Sequence, residues 1–282
     1  MKIDAYDKIT SRVIELLEQG TVPWHKTWTG DSMPRNAVSN KSYRGMNVFL
    51  LMAAGYTSPY WLTYKQATEL GGCVRKGEKA MPVVFWKRIM VEDKDDPDNT
   101  KCVPLLRYYS VFNVDQCNDI DMPTTETPKR EHNPIQDAEA IVAGMPNRPE
   151  IRHGGGRACY RPSLDMVSMP PADRFETGSA YYNVLFHELT HATGHKDRLN
   201  RNGCIEGAAF GSHTYSREEL VAEMGAAFLC GHAGLLTATI DNSAAYIANW
   251  LERLRNDRKL VVTAAAQAQK ASDFILDVQF EN

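Results

Sequence analysis

A chain of 282 residues is long enough for two ordinary domains, each with its own core. An apolar share of 43% and a charged share of 24% belong to a globular protein and exclude a largely disordered one. A net charge of −3 argues against general attraction to nucleic acid, and the absence of any run near eighteen apolar residues or of a signal-peptide pattern argues against a membrane partner.

Residues 6–19 place Ile9, Val13, Leu16 and Leu17 on one helical face, and Gly20 stops the pattern. The aromatic, proline-bearing "TVPWHKTW" follows. A short apolar helix is expected over 47–54, ended by Gly55. "YWLTYKQATELGG" reads as a strand and then a helix beginning near Thr63, closed by two glycines. "PVVFWKRIMVE" and "LLRYYSVFNV" read as strands joined by the acidic segment Glu92 to Thr100. After Val114, "DMPTTETPKREHNP" has no periodicity and reads as a linker. Further helices are expected over 136–144, 179–194, 216–230 and 244–256, with an Ala-rich helix last and a strand at "CYRPSLDMVSMP". The fold class is therefore α+β, with domains at 1–122 and 136–282 and a linker at 123–135. Six scattered cysteines without a CxxC pair fit a reducing cytoplasm better than a disulfide framework, so a cytoplasmic location is expected.

"FHELTHAT", Phe186 to Thr193, carries the chemistry. His187 and His191 lie about one turn apart on a helix, so both imidazoles project from one face and can share a zinc at about 2 Å. Glu188, rotated about 100° from His187, flanks such an ion without binding it and is placed to move a proton. Zinc there would acidify a water and polarise a scissile carbonyl, the chemistry of a metallopeptidase with Glu188 as general base. The alternative is a chance match on a half-buried helix, which two adjacent imidazoles make awkward. Another divalent transition metal could replace zinc, one ion per chain.

Two residues compete for third ligand. Asp197 lies at the metzincin spacing, with aspartate where that class has histidine. Glu219 sits on "SREELVAEMGAAFL" with Glu223 one turn later, placed to hold the other N–H of a ligand histidine. Ser216 and Glu219 also satisfy a capping-box pattern, which would leave Glu218 as the ligand. His195 reads as a helix C-terminal cap. His213 and Tyr215 are candidate donors to a developing oxyanion, with solvent exposure the plain alternative. Residues 160–169 could form the edge strand along which a peptide substrate lies.

The N-terminal half has a local basic excess. Between Gly20 and Met90 there are ten Lys/Arg and three Asp/Glu, a difference of seven. Four of the five tryptophans (Trp24, Trp28, Trp61 and Trp86) are interleaved with those cations. Single-stranded nucleic acid is held by this combination, aromatic faces stacking bases and cations following phosphates. Candidate DNA contacts are Trp24, Lys41, Tyr43, Arg44, Asn47, Trp61, Lys65, Arg75, Lys76 and Lys79. Each ring has a plainer reading as core, Trp86 in "VVFWK" above all.

Both halves resemble one known arrangement. "YDKITSRVIELLEQGTVPWHKTW", "NKSYRGMNVFLLMAAGY", "WLTYKQATELGGCVRKGEK" and "YYSVFNV" resemble the N-terminal single-stranded-DNA-binding domain of ArdC-type antirestriction proteins. "YRPSLDMVSMP", "YYNVLFHELTHATGHKDRL" and "YSREELVAEMGAAFL" resemble their zincin-like metallopeptidase domain. The resemblance implies a plasmid-type protein that protects conjugated DNA from host restriction, with single-stranded DNA and an unidentified protein substrate as partners. It favours Glu219 as third ligand, because Glu219 to Ala222 matches the ExxA stretch of glutamate-type zincins, with Glu223 beside it. The rival expectation is a protein that masks DNA by occupancy, its zinc only structural. A metal-dependent nuclease is disfavoured, since nucleases gather carboxylates around paired ions.

Overall fold

The structure, a computed structural model, describes residues 4–25, 33–92, 100–122, 133–201, 213–235 and 244–278. The segments expected to connect the two long strands and to link the two halves fall largely outside these residues. Helix α1 (Ala5–Glu18) buries Ile9, Val13, Leu16 and Leu17, the stripe its periodicity dictates, and Gly20 at φ +77° turns the chain away. A single 3₁₀ turn at Pro23–His25 leads on to β1 (Arg35–Asn36), α2 (Met46–Ala53), β2 (Tyr60–Leu62) and α3 (Tyr64–Glu69). Thr63 and Gln66 close a reciprocal capping box at the start of α3, which fixes the strand-to-helix switch where the sequence places it.

Strands β3 (Cys73–Val74), β4 (Met81–Glu92), β5 (Thr100–Asn113) and β6 (Cys117–Asn118) complete this half. The main sheet has the order β1-β2-β5-β4, with β4 and β5 antiparallel from Met81 opposite Val111 to Glu92 opposite Thr100. β2 touches β5 only at Trp61–Asn113 and Leu62–Phe112, so most of the long hairpin extends beyond the sheet.

The second half holds α4 (Pro134–Gly144), started by an Asn133 cap with Pro134 in the first turn, and β7 (Glu150–His153), β8 (Cys159–Arg161) and β9 (Met166–Met169). The single strand expected at 159–170 is instead two. Pro162 opens a 3₁₀ turn and Asp165 takes a left-handed conformation, so β8 folds back on β9 in the order β7-β9-β8. Helices α5 (Gly178–Ala192), α6 (His213–Ala233), α7 (Ala244–Asn256) and α8 (Leu260–Ile275) follow.

Two apolar clusters form the core, and α6 belongs to both. Its Leu220, Val221, Met224, Ala227 and Phe228 join α1, α2, α7, α8 and the main sheet, with Phe49 and Phe228 at 4.6 Å between ring centroids. Its Ala226, Leu229, Cys230 and Ala233 join α4, α5 and β9. The first cluster thus crosses the expected boundary at 123–135: residues before it and after it bury the same side chains. Among the described residues no helix is long and apolar enough to cross a membrane. Cys73, Cys117, Cys159 and Cys230 are unpaired thiols.

Candidate metal centre

Thr177 caps α5, accepting the Ala180 amide at 3.1 Å, and Leu185, Phe186, Leu189 and Ala192 anchor the helix in the core. That fixes the adjacent face, where His187 and His191 project. Helix α6 crosses α5 at very close range at Gly225: a Cβ there would meet Thr190 Cγ2 at 2.5 Å. This approach brings Glu219, two turns earlier on α6, up to the histidine pair.

The Nε2 atoms of His187 and His191 are 3.1 Å apart. Glu219 Oε2 lies 3.5 Å from His187 Nε2, and its Oε1 lies 3.5 Å from His191 Nε2. Two ligands about 2.05 Å from a tetrahedral ion stand roughly 3.3 Å apart, so these spacings fit one small divalent cation with a position left open. Nitrogen and carboxylate donors are also the set such ions take. Burial opposes a proton on either ring. At His187 the carboxylates of Glu219, Glu188 and Glu223 outweigh it and the pKa is raised. At His191 burial and the neighbouring His187 push the pKa down to about 3. Of the two rings, His187 is therefore the one that holds a proton more readily.

Glu188 is buried beside the pair, and its Oε2 accepts the Tyr160 amide of β8 at 2.7 Å. Burial raises its pKa, against the pull of His187 and the Tyr160 N–H. β8 is held in turn by Asp165, which accepts from Tyr160 Oη at 2.8 Å and from the two terminal guanidinium nitrogens of Arg198 at 2.7 and 2.8 Å.

The other ligand candidates lie elsewhere. Asp197 has its side chain 64% exposed and faces His195, 3.5 Å away, so neither reaches the pair. Glu218 is buried against Arg201, whose Nε is 3.2 Å from Oε2. No capping box forms at Ser216, because α6 begins at His213; Ser216 Oγ accepts from Arg253 instead. The side chains of His213 and Tyr215 fall outside the described residues.

Glu223 departs from expectation. Its Oε2 accepts from Trp24 Nε1 at 3.1 Å and from the Tyr246 hydroxyl, rather than from either imidazole. Burial raises its pKa, partly offset by those donors and by His187, so it acts on the pair through its charge. Trp24 is 0% exposed, edge-on to Trp250 at 6.0 Å. It is therefore a link between the first 25 residues and the metal centre and offers no face to a base. The sequence holds no local signal for Tyr246, Arg198 or Arg201, which meet their partners only through tertiary contact.

The remaining DNA candidates divide. Trp61, Tyr43 and Asn47 are buried, which corrects their reading as surface contacts. Trp61 packs in the sheet, and the Asn47 amide exchanges two hydrogen bonds with the Val84 backbone at 2.7 and 2.8 Å. Arg44 pairs with Asp273, Lys65 with Glu69 at 3.4 Å and Arg75 with Glu78 at 2.7 Å. Lys41, Lys76 and Lys79 are exposed. Tyr43, Arg44 and Asn47 line one cavity together with Phe85 and Trp86.

Comparison with known proteins agrees with this architecture. The family model "Zincin-like metallopeptidase" matches residues 136–267, and "N-terminal domain of anti-restriction factor ArdC" matches 3–112. The "Uncharacterized protein y4eC" of Sinorhizobium fredii is 38% identical over 289 residues, covering 96% of this chain and 91% of that protein. A "DNA primase TraC" of Escherichia coli is 35% identical, but this chain spans only 27% of its length. The metal-free crystal structure of the antirestriction ArdC protein from plasmid R388 is 38% identical, with a TM-score of 0.75 over 96% of each chain. Its Mn(II)-bound form gives 0.76 at the same identity, over 99% of this chain and 100% of that one. The chain belongs to the ArdC antirestriction family.

Proposed function

We propose that the chain is a divalent-metal-dependent peptidase, zinc being the expected ion, in a protein that binds single-stranded DNA and protects conjugated DNA from restriction. The observation that carries the reading is the closure of His187, His191 and Glu219 to tetrahedral ligand spacing with Glu188 beside them. The match to an ArdC N-terminal domain supports DNA binding, and the Mn(II)-bound R388 relative supports a divalent ion.

When bound, the ion would polarise a carbonyl and lower the pKa of a water. The chain's own part is positional. His187 and His191 would offer their Nε2 atoms once any proton on His187 is displaced, and Glu219 would supply the negative charge. Glu188, tethered at Oε2 by the Tyr160 amide, keeps Oε1 for a proton taken from the attacking water and passed to the leaving amine. Its raised pKa suits it to hold that proton between the two transfers. β8 is the edge of its sheet, and a peptide laid along it in extended form would reach Glu188 at Tyr160.

Glu188→Ala should abolish cleavage of a protein substrate while leaving metal content and DNA binding unchanged. Full antirestriction in a conjugation assay with this variant would overturn the coupling of proteolysis to protection and favour masking of DNA by occupancy.

A further inference from the structure

Strand β4 lies at the edge of the main sheet, and beyond Val84 the described residues only partly cover the hairpin it forms with β5. Phe85 and Trp86 show this directly. Adjacent strand residues point to opposite faces, yet the two are 45% and 50% exposed. Tyr108 and Tyr109 across the hairpin are exposed as well. The rings are ordered against one another: Phe85 sits edge-on to Tyr109 at 5.7 Å and near Tyr43 at 6.1 Å, and Trp86 sits edge-on to Tyr6 at 6.3 Å. So much aromatic surface left in water marks a binding face.

What it binds follows from its neighbours. Arg107 stands directly across the ladder from Phe85, Lys87 follows Trp86, and both are exposed. Between the hairpin, the turn at Tyr43–Arg44 and helix α8 lies a cavity of about 350 Å³, walled by Phe85, Trp86 and Val262 and flanked by the exposed Lys270. That volume lies in the range of small-ligand pockets, about 300–1,000 Å³. Flat rings, a cavity beside them and a fringe of cations with no ion-pair partner among the described residues match an unpaired nucleotide strand. A duplex hides its base faces, and an acidic peptide offers a ring only where it carries an aromatic side chain, whereas every nucleotide carries one.

We propose that bases of single-stranded DNA stack on Phe85, Trp86 and Tyr109, one of them entering the cavity, while Lys87, Arg107 and Lys270 follow the phosphates. This rests on the DNA-binding part of the proposed function and moves the contact surface from the tryptophans expected in the sequence to the β4–β5 hairpin. It also places the strand against α8, which follows the metal-bearing helices in the chain.

Fluorescence anisotropy of the full chain with a labelled twenty-nucleotide oligo-dT, and with an abasic strand of equal length, tests it. Phe85→Ala and Trp86→Ala should each weaken oligo-dT binding by roughly 5- to 150-fold and leave the weaker abasic binding nearly unchanged. Arg107→Glu should weaken both strands and lower the salt dependence. Trp86→Phe, which keeps a ring, should retain binding but lose the quenching of tryptophan emission by oligo-dT. That variant keeps the test informative if the alanine substitutions melt early. Wild-type affinity in the ring variants, together with loss in Lys76→Ala/Lys79→Ala, would overturn the hairpin site and leave DNA binding intact. Ring variants that bind oligo-dT normally but slow cleavage of a protein substrate would make the patch a protein dock and overturn it equally. No binding of oligo-dT by wild type at low salt would remove the DNA reading and this site with it.

Discussion

The approach of α5 to α6 is the most direct handle on the metal centre. In Gly225→Ala the new Cβ would lie 2.5 Å from Thr190 Cγ2 and 2.6 Å from its Oγ1. Carbon atoms rest at about 3.5–4.0 Å, so the helices must separate by roughly 1 Å or Thr190 must leave its rotamer. Thr190 is 0% exposed and donates to Phe186 O at 2.7 Å, so the rotamer is not free to change. Overpacking of this kind costs about 1–3 kcal/mol, against which alanine in mid-helix recovers about 1 kcal/mol. The net change should be a loss of about 0–2 kcal/mol in denaturant unfolding. Metal affinity should suffer more, because ligand distances tolerate only about ±0.2 Å. In a Thr190→Ala background only the Cβ contact at 3.1 Å persists, and Gly225→Ala should turn stabilising there while restoring metal binding. Calorimetric titration with Mn²⁺ or Zn²⁺ on the four proteins completes the cycle. Wild-type metal affinity in Gly225→Ala, or no reversal in the double variant, would refute the claim that this contact sets the site.

Metal analysis should find His187→Ala and Glu219→Ala depleted and Asp197→Ala fully loaded; loss in the last would restore the metzincin-like alternative. His187, whose pKa is raised above the usual histidine value near 6.5, is the ring on which a proton competes with metal. Affinity should therefore be level at high pH and fall as pH drops through that raised value, by about tenfold per unit. A slope of a hundredfold per unit would mean that His191, pushed down to about 3, also carries a proton, against its surroundings. Arg201→Met removes the guanidinium paired with the buried Glu218 carboxylate and should cost about 3–5 kcal/mol in urea unfolding. Tyr246→Phe removes one donor from Glu223 and should cost about 1–3 kcal/mol, with metal content retained.

The parts of the site that could be read from the sequence are those written in local periods. His187 and His191 are one turn apart on any helix, so their convergence needs only the helix itself. Glu219 needed more: residues 202–212 intervene between His191's neighbourhood and α6, and spacing alone left Asp197 and Glu218 open. The structure brings Glu219 to 3.5 Å from both rings, while Glu218 lies against Arg201 and Asp197 beside His195. Secondary structure followed the same logic. Capping at Thr63 and Asn133, stop signals at Gly20 and Gly71, and the β-branched runs of β4 and β5 are local and were legible. The two-residue strands β1, β3 and β6 exist only through their partners and left no signal.

The tryptophans failed for a physical reason that also explains the architecture. Trp24 follows an amphipathic helix and sits among cations, a context that favours a surface platform; Trp86 lies in an apolar strand, a context that favours the core. Burial is decided by what arrives from elsewhere. Helices α6 and α7 bring Met224, Phe228 and Trp250 to the N-terminal cluster that encloses Trp24, and Glu223 gives its indole N–H the acceptor a buried indole requires. Less arrives over Trp86: the edge of Tyr6 meets it at 6.3 Å and it stays 50% exposed, because β2 pairs with β5 for only two residues and stops short of the hairpin's outer part. The carboxylate that receives Trp24 lies one turn from Glu219, so the first 25 residues are fastened to the helix that completes the metal centre. A DNA strand on the hairpin would press against α8, whose Leu260, Val261 and Ala264 share that same cluster with α6. Packed side chains thus run without a break from the hairpin's neighbour α8 to the helix that carries Glu219.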